Sequence, residues 1–403
     1  MTFDLVETLA LCGLVLFIGY FLQSTIPGLA RLNIPAPVIG GLLAAVAVVA
    51  IKALGWPAPQ FDTTLQRPLL VAFFTTIGFS ASLALLRVGG AQVVLLLGLV
   101  SVVAMVQNLV GIALAMGFGL PPAMGVLTGS VTLAGGPATG LAFAPLFEKA
   151  GVESAATIAV AMAMGGIVLG GLVGGPVGTF LITRRGLQAT ASQVVPAPVV
   201  TQSDSPASAE PTGDDPSHTR LVLKTLVVVL VAMWIGSGIS RLISATGVTL
   251  PEYIGAMLVA ALIRNVDDRT RWFSLSHRAL DLLGAVSLSL FLAMALMTLD
   301  LTRLANIAGP LLVILAVQVV LVVAVSLWPV FQLLGRDYDG AVMTGGFFGF
   351  MLGTTANAMA VMGTLVERFG PAPRAFLVAP LVGAFFLDFT NALIITAFLN
   401  FLE

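Results

Sequence analysis

Pro121–Glu148 reads PPAMGVLTGSVTLAGGPATGLAFAPLFE, which is too apolar for a surface loop and too interrupted for a membrane-spanning helix. The run Ala123–Ala134 can form about 18 Å of helix at ~1.5 Å per residue, roughly half a bilayer core. Gly135-Gly136-Pro137 then stops it, because proline removes a backbone donor and its ring clashes with the preceding turn. The pattern predicts a re-entrant hairpin over about 120–147. GAVMTGGFFGFMLGTTANAMAVMGTLVERFG, from Gly340, has the same character. It is broken around Gly353-Thr354-Thr355 and predicts a second hairpin over about 340–366.

The two stretches belong to a wider internal echo. Gly125-Val-Leu-Thr-Gly-Ser is matched by Ala341-Val-Met-Thr-Gly-Gly, and Leu146-Phe-Glu-Lys-Ala-Gly by Leu365-Val-Glu-Arg-Phe-Gly. Further out, Pro35-Ala-Pro-Val-Ile-Gly-Gly-Leu-Leu-Ala-Ala is echoed by Pro251-Glu-Tyr-Ile-Gly-Ala-Met-Leu-Val-Ala-Ala. Apolar runs fall at about 5–24, 36–55, 68–86, 91–118 and 155–182, then at about 221–246, 251–265, 280–299, 304–334 and 374–401. Between the sets lies 186–219, rich in Pro, Ser, Thr and acid, which cannot bury a core and is expected to be a disordered linker. The chain thus divides into 1–185, a linker 186–219, and 220–403. Five spans per half means that the second half enters from the opposite side, and inverted repeats of this kind are a transporter architecture.

The composition supports that frame. Of 403 residues, 58% are hydrophobic and 9% charged, whereas soluble domains carry about 25% charge. Ten spans of about 20 residues need roughly 200 apolar positions. The expected fold class is an all-α polytopic membrane protein. A net charge of -1 argues against nucleic acid as a partner. Cys12 is the sole cysteine and forbids an internal disulfide. Asp4 and Glu7 precede any Lys or Arg, so the N-terminal run reads as a retained span, not a secretion signal. No Gly-Lys pair exists to build a nucleotide-binding loop, so transport would run on gradients. With both termini outside, the inner loops collect most Lys and Arg, leaving Lys52, Arg67, Lys149, Arg241 and Arg303 outside; the linker is then cytoplasmic.

Broken helices expose backbone groups that hydrocarbon cannot satisfy, so they survive only where protein buries them or a polar cavity meets them. Their amide ends attract anions and their carbonyl ends cations. Ser130, Thr132, Gly135, Gly136 and Thr139 at the first break, with Gly353, Thr354, Thr355 and Asn357 at the second, are therefore candidates for an anionic substrate and a coupling ion. Small hydroxyls that merely permit tight packing are the competing reading. Asp388 is the one acid deep inside a span, with Asn391 on the same helix face. A carboxylate there is costly unless paired or hydrated, and it reads as a cation ligand. Its counterpart in the first half lies near Leu169, which is apolar.

Gln107, Asn108 and the repeat-equivalent Gln318 could bond between helices or touch substrate; both readings stay open. Gly166, Gly170, Gly174 and Gly178 leave a bare ridge for a close neighbour. His218 and His277 have no metal-ligand spacing, and no second membrane acid partners Asp388 as a protease dyad requires. An enzyme is not expected, and no cofactor motif is present.

These residues resemble the bacterial sodium/glutamate symporters along essentially the whole chain apart from the linker. The resemblance rests on PAPVIGGLLAA, AFFTTIGFSASLALLR, VQNLVGIALA and GSVTLAGG, and later on GAVSLSLFLAMALM and LVERFGPAPRAFLVAPLVGAFFLDFTNALI. It implies coupled uptake of L-glutamate with Na⁺ across the inner membrane by a homodimer, each protomer having a scaffold domain against which a hairpin-bearing domain moves as an elevator. The family's glycine-rich hairpin motifs map onto Gly135, Gly136 and Gly140 and onto Gly345, Gly346, Gly349 and Gly353, and its last-span Asp onto Asp388. Pro137, Ala138 and Met351 stand where the family carries His and Gly. Two alternatives remain: a Na⁺- or H⁺-coupled carrier of another small organic anion, and a membrane sensor that binds without transporting.

Overall fold

A computed structural model describes residues 2–32, 34–189, 216–245, 251–273 and 275–402. Apart from one isolated bridge between Thr2 and Gln60, the regular structure described is helical. The first half contains α1 (Leu5–Thr25), α2 (Pro27–Arg31), α3 (Ala36–Ala53), α4 (Gln66–Phe79), α5 (Leu83–Gly117), α6 (Pro122–Val126), α7 (Gly136–Lys149) and α8 (Ala155–Arg184). The second contains α9 (Pro216–Ser244), α10 (Glu252–Thr270), α11 (His277–Met297), α12 (Ala308–Val325), α13 (Phe331–Leu333), α14 (Tyr338–Met351), α15 (Thr355–Phe369), α16 (Pro373–Leu381) and α17 (Leu387–Leu402).

Seven helices among the described residues are long and apolar enough to cross a membrane: Leu5–Thr25, Ala36–Ala53, Gly90–Gly117, Ala155–Arg184, Arg220–Ser244, His277–Met297 and Ala308–Leu333. The other three expected spans differ for visible reasons. α4 has only 14 residues. α10 ends in a charged stretch with Arg264, Asp267, Asp268 and Arg269. The run 374–401 is divided by a π-helical turn over Val382–Phe386, next to Pro380, whose missing N–H and bulky ring weaken the last turn of α16. Asp388 lies two residues past this π turn, where α17 resumes the helical run. Most of the expected linker, 190–215, lies outside the described residues. Its last residues do not remain irregular, because α9 already begins at Pro216, and proline is well tolerated in a helix's first turn.

Packing sorts the helices into two groups. α1, α3, α4, α9, α10 and α11 pack on one another, and α5–α8 pack with α12 and α14–α17. Each group draws on both halves of the sequence. The groups meet chiefly where α11 touches α7, where α3 touches the 3-10 turn Leu301–Ile307, and where α4 touches the π turn before α17. In the first group, Asp4 and Glu7 form a capping box on α1, with reciprocal bonds of 2.8 and 2.9 Å. Cys12 on α1 is fully buried, its Sγ 3.8 Å from Met297 Sδ.

In the second group, the glycine ridge of α8 faces the second broken pair. A Cβ on Gly170 would stand 2.8 Å from Asn357 Nδ2, and one on Gly174 3.1 Å from Val361. Gly178 and Gly166 meet Leu365 and Leu352 in the same way. The ridge lets α14 and α15 approach closely, which is the packing role expected of it.

Candidate functional site

The first break forms in two places. Past α6 the chain enters a π-helical turn over Leu127–Val131, and Gly129 leaves helical geometry at φ -95, ψ -126. A side chain at Gly129 would collide with Asn108, since its Cβ would stand 2.7 Å from Asn108 Oδ1. The break frees the amide of Ser130, which donates to Asn108 Oδ1 at 2.8 Å. A second interruption at Ala134-Gly135 leads into Gly136, whose φ of +68 suits glycine. Pro137 then sits in the opening turn of α7, where its fixed φ starts the helix. The sequence pointed to 135–137 and missed the break at Gly129. Lone glycines are tolerated in many helices, so only the tertiary contact with Asn108 singles this one out.

The second break separates α14 from α15, two helices of 14 and 15 residues. At ~1.5 Å per residue, neither reaches much beyond about 21–23 Å. Gln107 Nε2 donates to the Met351 carbonyl at 3.0 Å, meeting one orphan carbonyl at the end of α14. Thr354 caps α15 by accepting from the Asn357 amide at 3.5 Å. Asn357 Nδ2 donates to the Ile167 carbonyl on α8 at 3.0 Å. Thr355 Oγ1 donates to the Gly383 carbonyl at 2.9 Å, inside the π turn that precedes α17. The two breaks also touch each other, since a Cβ on Gly136 would stand 2.9 Å from Thr354 Cγ2.

The helix α5 joins these parts. Its adjacent residues Gln107 and Asn108 are fully buried and reach opposite breaks, Gln107 to Met351 and Asn108 to Ser130. Gln318 on α12 donates to the Gln107 carbonyl at 2.7 Å. Asn391 on α17 donates to the Ser130 carbonyl at 3.0 Å. Several atoms of this cluster are buried and find no hydrogen-bond partner among the described residues: Gln107 Oε1, Gln318 Oε1, Asn357 Oδ1, Asn391 Oδ1, Ser130 Oγ and Asn108 Nδ2. Each such group costs about 1–3 kcal/mol if it stays unsatisfied. Five of the six are oxygens, the donor type that hard cations such as Na⁺ take.

The structure brings Ser130, Gly136, Gly353, Thr354, Thr355, Asn357, Asn391, Gln107, Asn108 and Gln318 into this one region. Two candidates have local duties instead. Thr132 Oγ1 donates to the Leu127 carbonyl of its own turn at 2.8 Å, and Thr139 is buried against Gly135. Asp388 is half-buried, one turn before Asn391. The Ile167 and Met351 carbonyls were not foreseen, because main-chain acceptors leave no mark in side-chain identity.

With this geometry in view, the comparisons with known proteins are decisive. A family model described as Sodium/glutamate symporter matches residues 1–371. The chain belongs to the sodium/glutamate symporter family. The Sodium/glutamate symporter of Escherichia coli (strain K12) is 39% identical over 399 residues, covering 98% of this chain and 97% of that protein. The protein of the same name from Haemophilus influenzae (strain ATCC 51907 / DSM 11121 / KW20 / Rd) is 38% identical over 402 residues, covering 97% and 96%. The symporter family is one of carriers, not enzymes. Asp388 and Asn391 lie beyond the 1–371 match.

Proposed function

We propose that this chain is a secondary active transporter that carries L-glutamate with Na⁺ across the bacterial inner membrane. The observation that carries the reading is the pairing of Gln107 and Asn108, adjacent on one helix, with the breaks of two separate helix pairs. Family membership adds the substrate and the ion. Na⁺ takes oxygen ligands from Asp388, Asn391 and the main chain near Gly353. Glutamate takes the amide-rich side of the breaks, with Ser130, Gly135, Gly136, Thr354, Thr355 and Asn357 around it and Gln107, Asn108 and Gln318 behind. Na⁺ offsets the charge of Asp388 and orders the two tips, after which the anion binds.

The chain is built as two inverted repeats, each with a re-entrant hairpin. The echo between the halves and the mixed origin of the two packing groups support this. The group of α1, α3, α4 and α9–α11 serves as scaffold and dimer surface in a homodimer within the lipid. The group bearing the hairpins moves against it as an elevator, which the sparse contacts between the groups favour. Both termini face outward and the segment 186–219 is cytoplasmic, following the distribution of Lys and Arg.

The test is uptake by proteoliposomes of labelled L-glutamate under an imposed Na⁺ gradient. Accumulation above equilibrium, abolished when K⁺ replaces Na⁺, is the expected result. Equilibration without accumulation would sink the coupled mechanism.

A further inference from the structure

A cavity of about 550 Å³ opens between the two helix groups, a volume within the ~300–1,000 Å³ range of small-molecule sites. Its walls come from α4, α7, α10 and α11, and they include Arg67, Lys149, Glu252, Tyr253, Leu141 and Phe291. Leu141 lies five residues along α7 from Gly136, about 7.5 Å of helix from the point where the two breaks touch. The inner wall is aromatic and buried. Tyr253 stacks on Phe74 with ring centroids 4.3 Å apart and meets Phe143 edge-on at 5.7 Å. Its hydroxyl finds no hydrogen-bond partner among the described residues. The cavity thus runs from charged groups at one end along α7 towards the first break.

Two cations and one acid among the lining residues leave the cavity net positive, which raises the local concentration of anions. Arg67 forms an ion pair with Glu252. The Arg67 side chain is 70% exposed, so solvent screens that pair and it exchanges readily. A guanidinium presents a planar fork that fits a carboxylate with two parallel bonds, which an ammonium does not.

We propose that this cavity is the vestibule by which the anionic substrate enters, and that Arg67 leaves Glu252 to hold a substrate carboxylate before it passes to the breaks. The inference rests on the reading of the chain as a carrier of an acidic amino acid, and it adds a specificity-determining arginine that lies outside the central cluster. Glu252 acts as the competitor that vacates Arg67 when substrate arrives and reclaims it afterwards. Lys149 supplies charge without the fork.

The experiment measures KM and Vmax for Na⁺-driven uptake of labelled L-glutamate by reconstituted full-length protein carrying R67Q, R67K, E252Q or K149Q. R67Q should raise KM by about tenfold, the loss of ~1.4 kcal/mol of binding, with Vmax within about twofold. E252Q should shift KM the opposite way, because it frees Arg67. R67K should recover only part of the loss, and K149Q should raise KM less than R67Q.

A purely structural ion pair would make R67Q and E252Q move together, and that result overturns the proposal. So does a wild-type KM for R67K, or a K149Q effect as large as that of R67Q, since either reduces the cavity to diffuse attraction. Wild-type protein that accumulates no glutamate defeats the transport reading and the proposal with it. An unaltered KM in R67Q, measured in a preparation whose wild type accumulates glutamate, defeats the vestibule alone.

Discussion

Asn391 donates from Nδ2 to the carbonyl oxygen of Ser130 at 3.0 Å, although the two residues stand 261 positions apart. This bond fastens the last helix to the first break, and its acceptor is a main-chain group that helix geometry has released. Asn391→Ala removes the donor and leaves that carbonyl buried, at a cost of about 1–3 kcal/mol. A lower midpoint of thermal unfolding in detergent is expected, together with a higher Na⁺ concentration for half-maximal uptake. An unchanged midpoint would show that the bond contributes nothing to the fold.

Asp388 is only half-buried, so Asp388→Asn keeps the shape of the site without disturbing a packed core. If its carboxylate binds Na⁺, the variant should reach the membrane at wild-type levels and lose the steep response of uptake to Na⁺. A rise of about tenfold in the Na⁺ requirement corresponds to ~1.4 kcal/mol. Normal Na⁺ dependence in the variant would remove Asp388 from the ion site.

Gly136 combines a φ of +68 with contact across the two breaks. Gly136→Ala should cost about 1–2 kcal/mol from backbone strain alone, and its methyl would press on Thr354 Cγ2. Thr354→Ser deletes that methyl and keeps the hydroxyl that caps α15. The double variant should therefore recover part of the uptake lost by Gly136→Ala. Simple additivity of the two substitutions would argue that the tips do not bear on each other.

On α8, two glycines five positions apart should behave in opposite ways. Gly170→Ala places a methyl 2.8 Å from Asn357 Nδ2 and should push the second helix pair away, reducing both uptake and thermal stability. Gly175→Ala meets nothing closer than Thr364 Oγ1 at 4.0 Å. It should be neutral or stabilise by up to about 1 kcal/mol through helix propensity. Paired unfolding curves for the two variants check this directly.

Leu141 and Phe291 line the same cavity from opposite helix groups. Replacing both with cysteine and bridging them with a short bifunctional thiol reagent should stop turnover if one group travels against the other. Uptake should return when a cleavable bridge is cut. Full activity in the bridged protein would rule out that relative motion.

Much of this architecture is legible in the sequence because bilayer chemistry is strict. The apolar runs and the break at Gly135-Gly136-Pro137 follow from what hydrocarbon tolerates. The residues that tie the site together are less visible. Gln107 and Asn108 look alike in sequence, and only the fold sends one to Met351 and the other to Ser130. The break at Gly129 and the π turn over Val382–Phe386 depend on tertiary contacts that outweigh local helix propensity. Arg67 and Glu252 meet from halves of the chain that sequence spacing keeps far apart, so their pairing had no local signal.

The burial of Cys12 beside Met297 has a practical consequence. Maleimides and aqueous oxidants reach thiols from water, and this one is shielded on α1. The native chain is therefore already a quiet background for site-directed fluorescence or spin labelling. A single reporter cysteine beside one of the helix breaks would give a signal of its own, and the natural thiol need not be engineered away first.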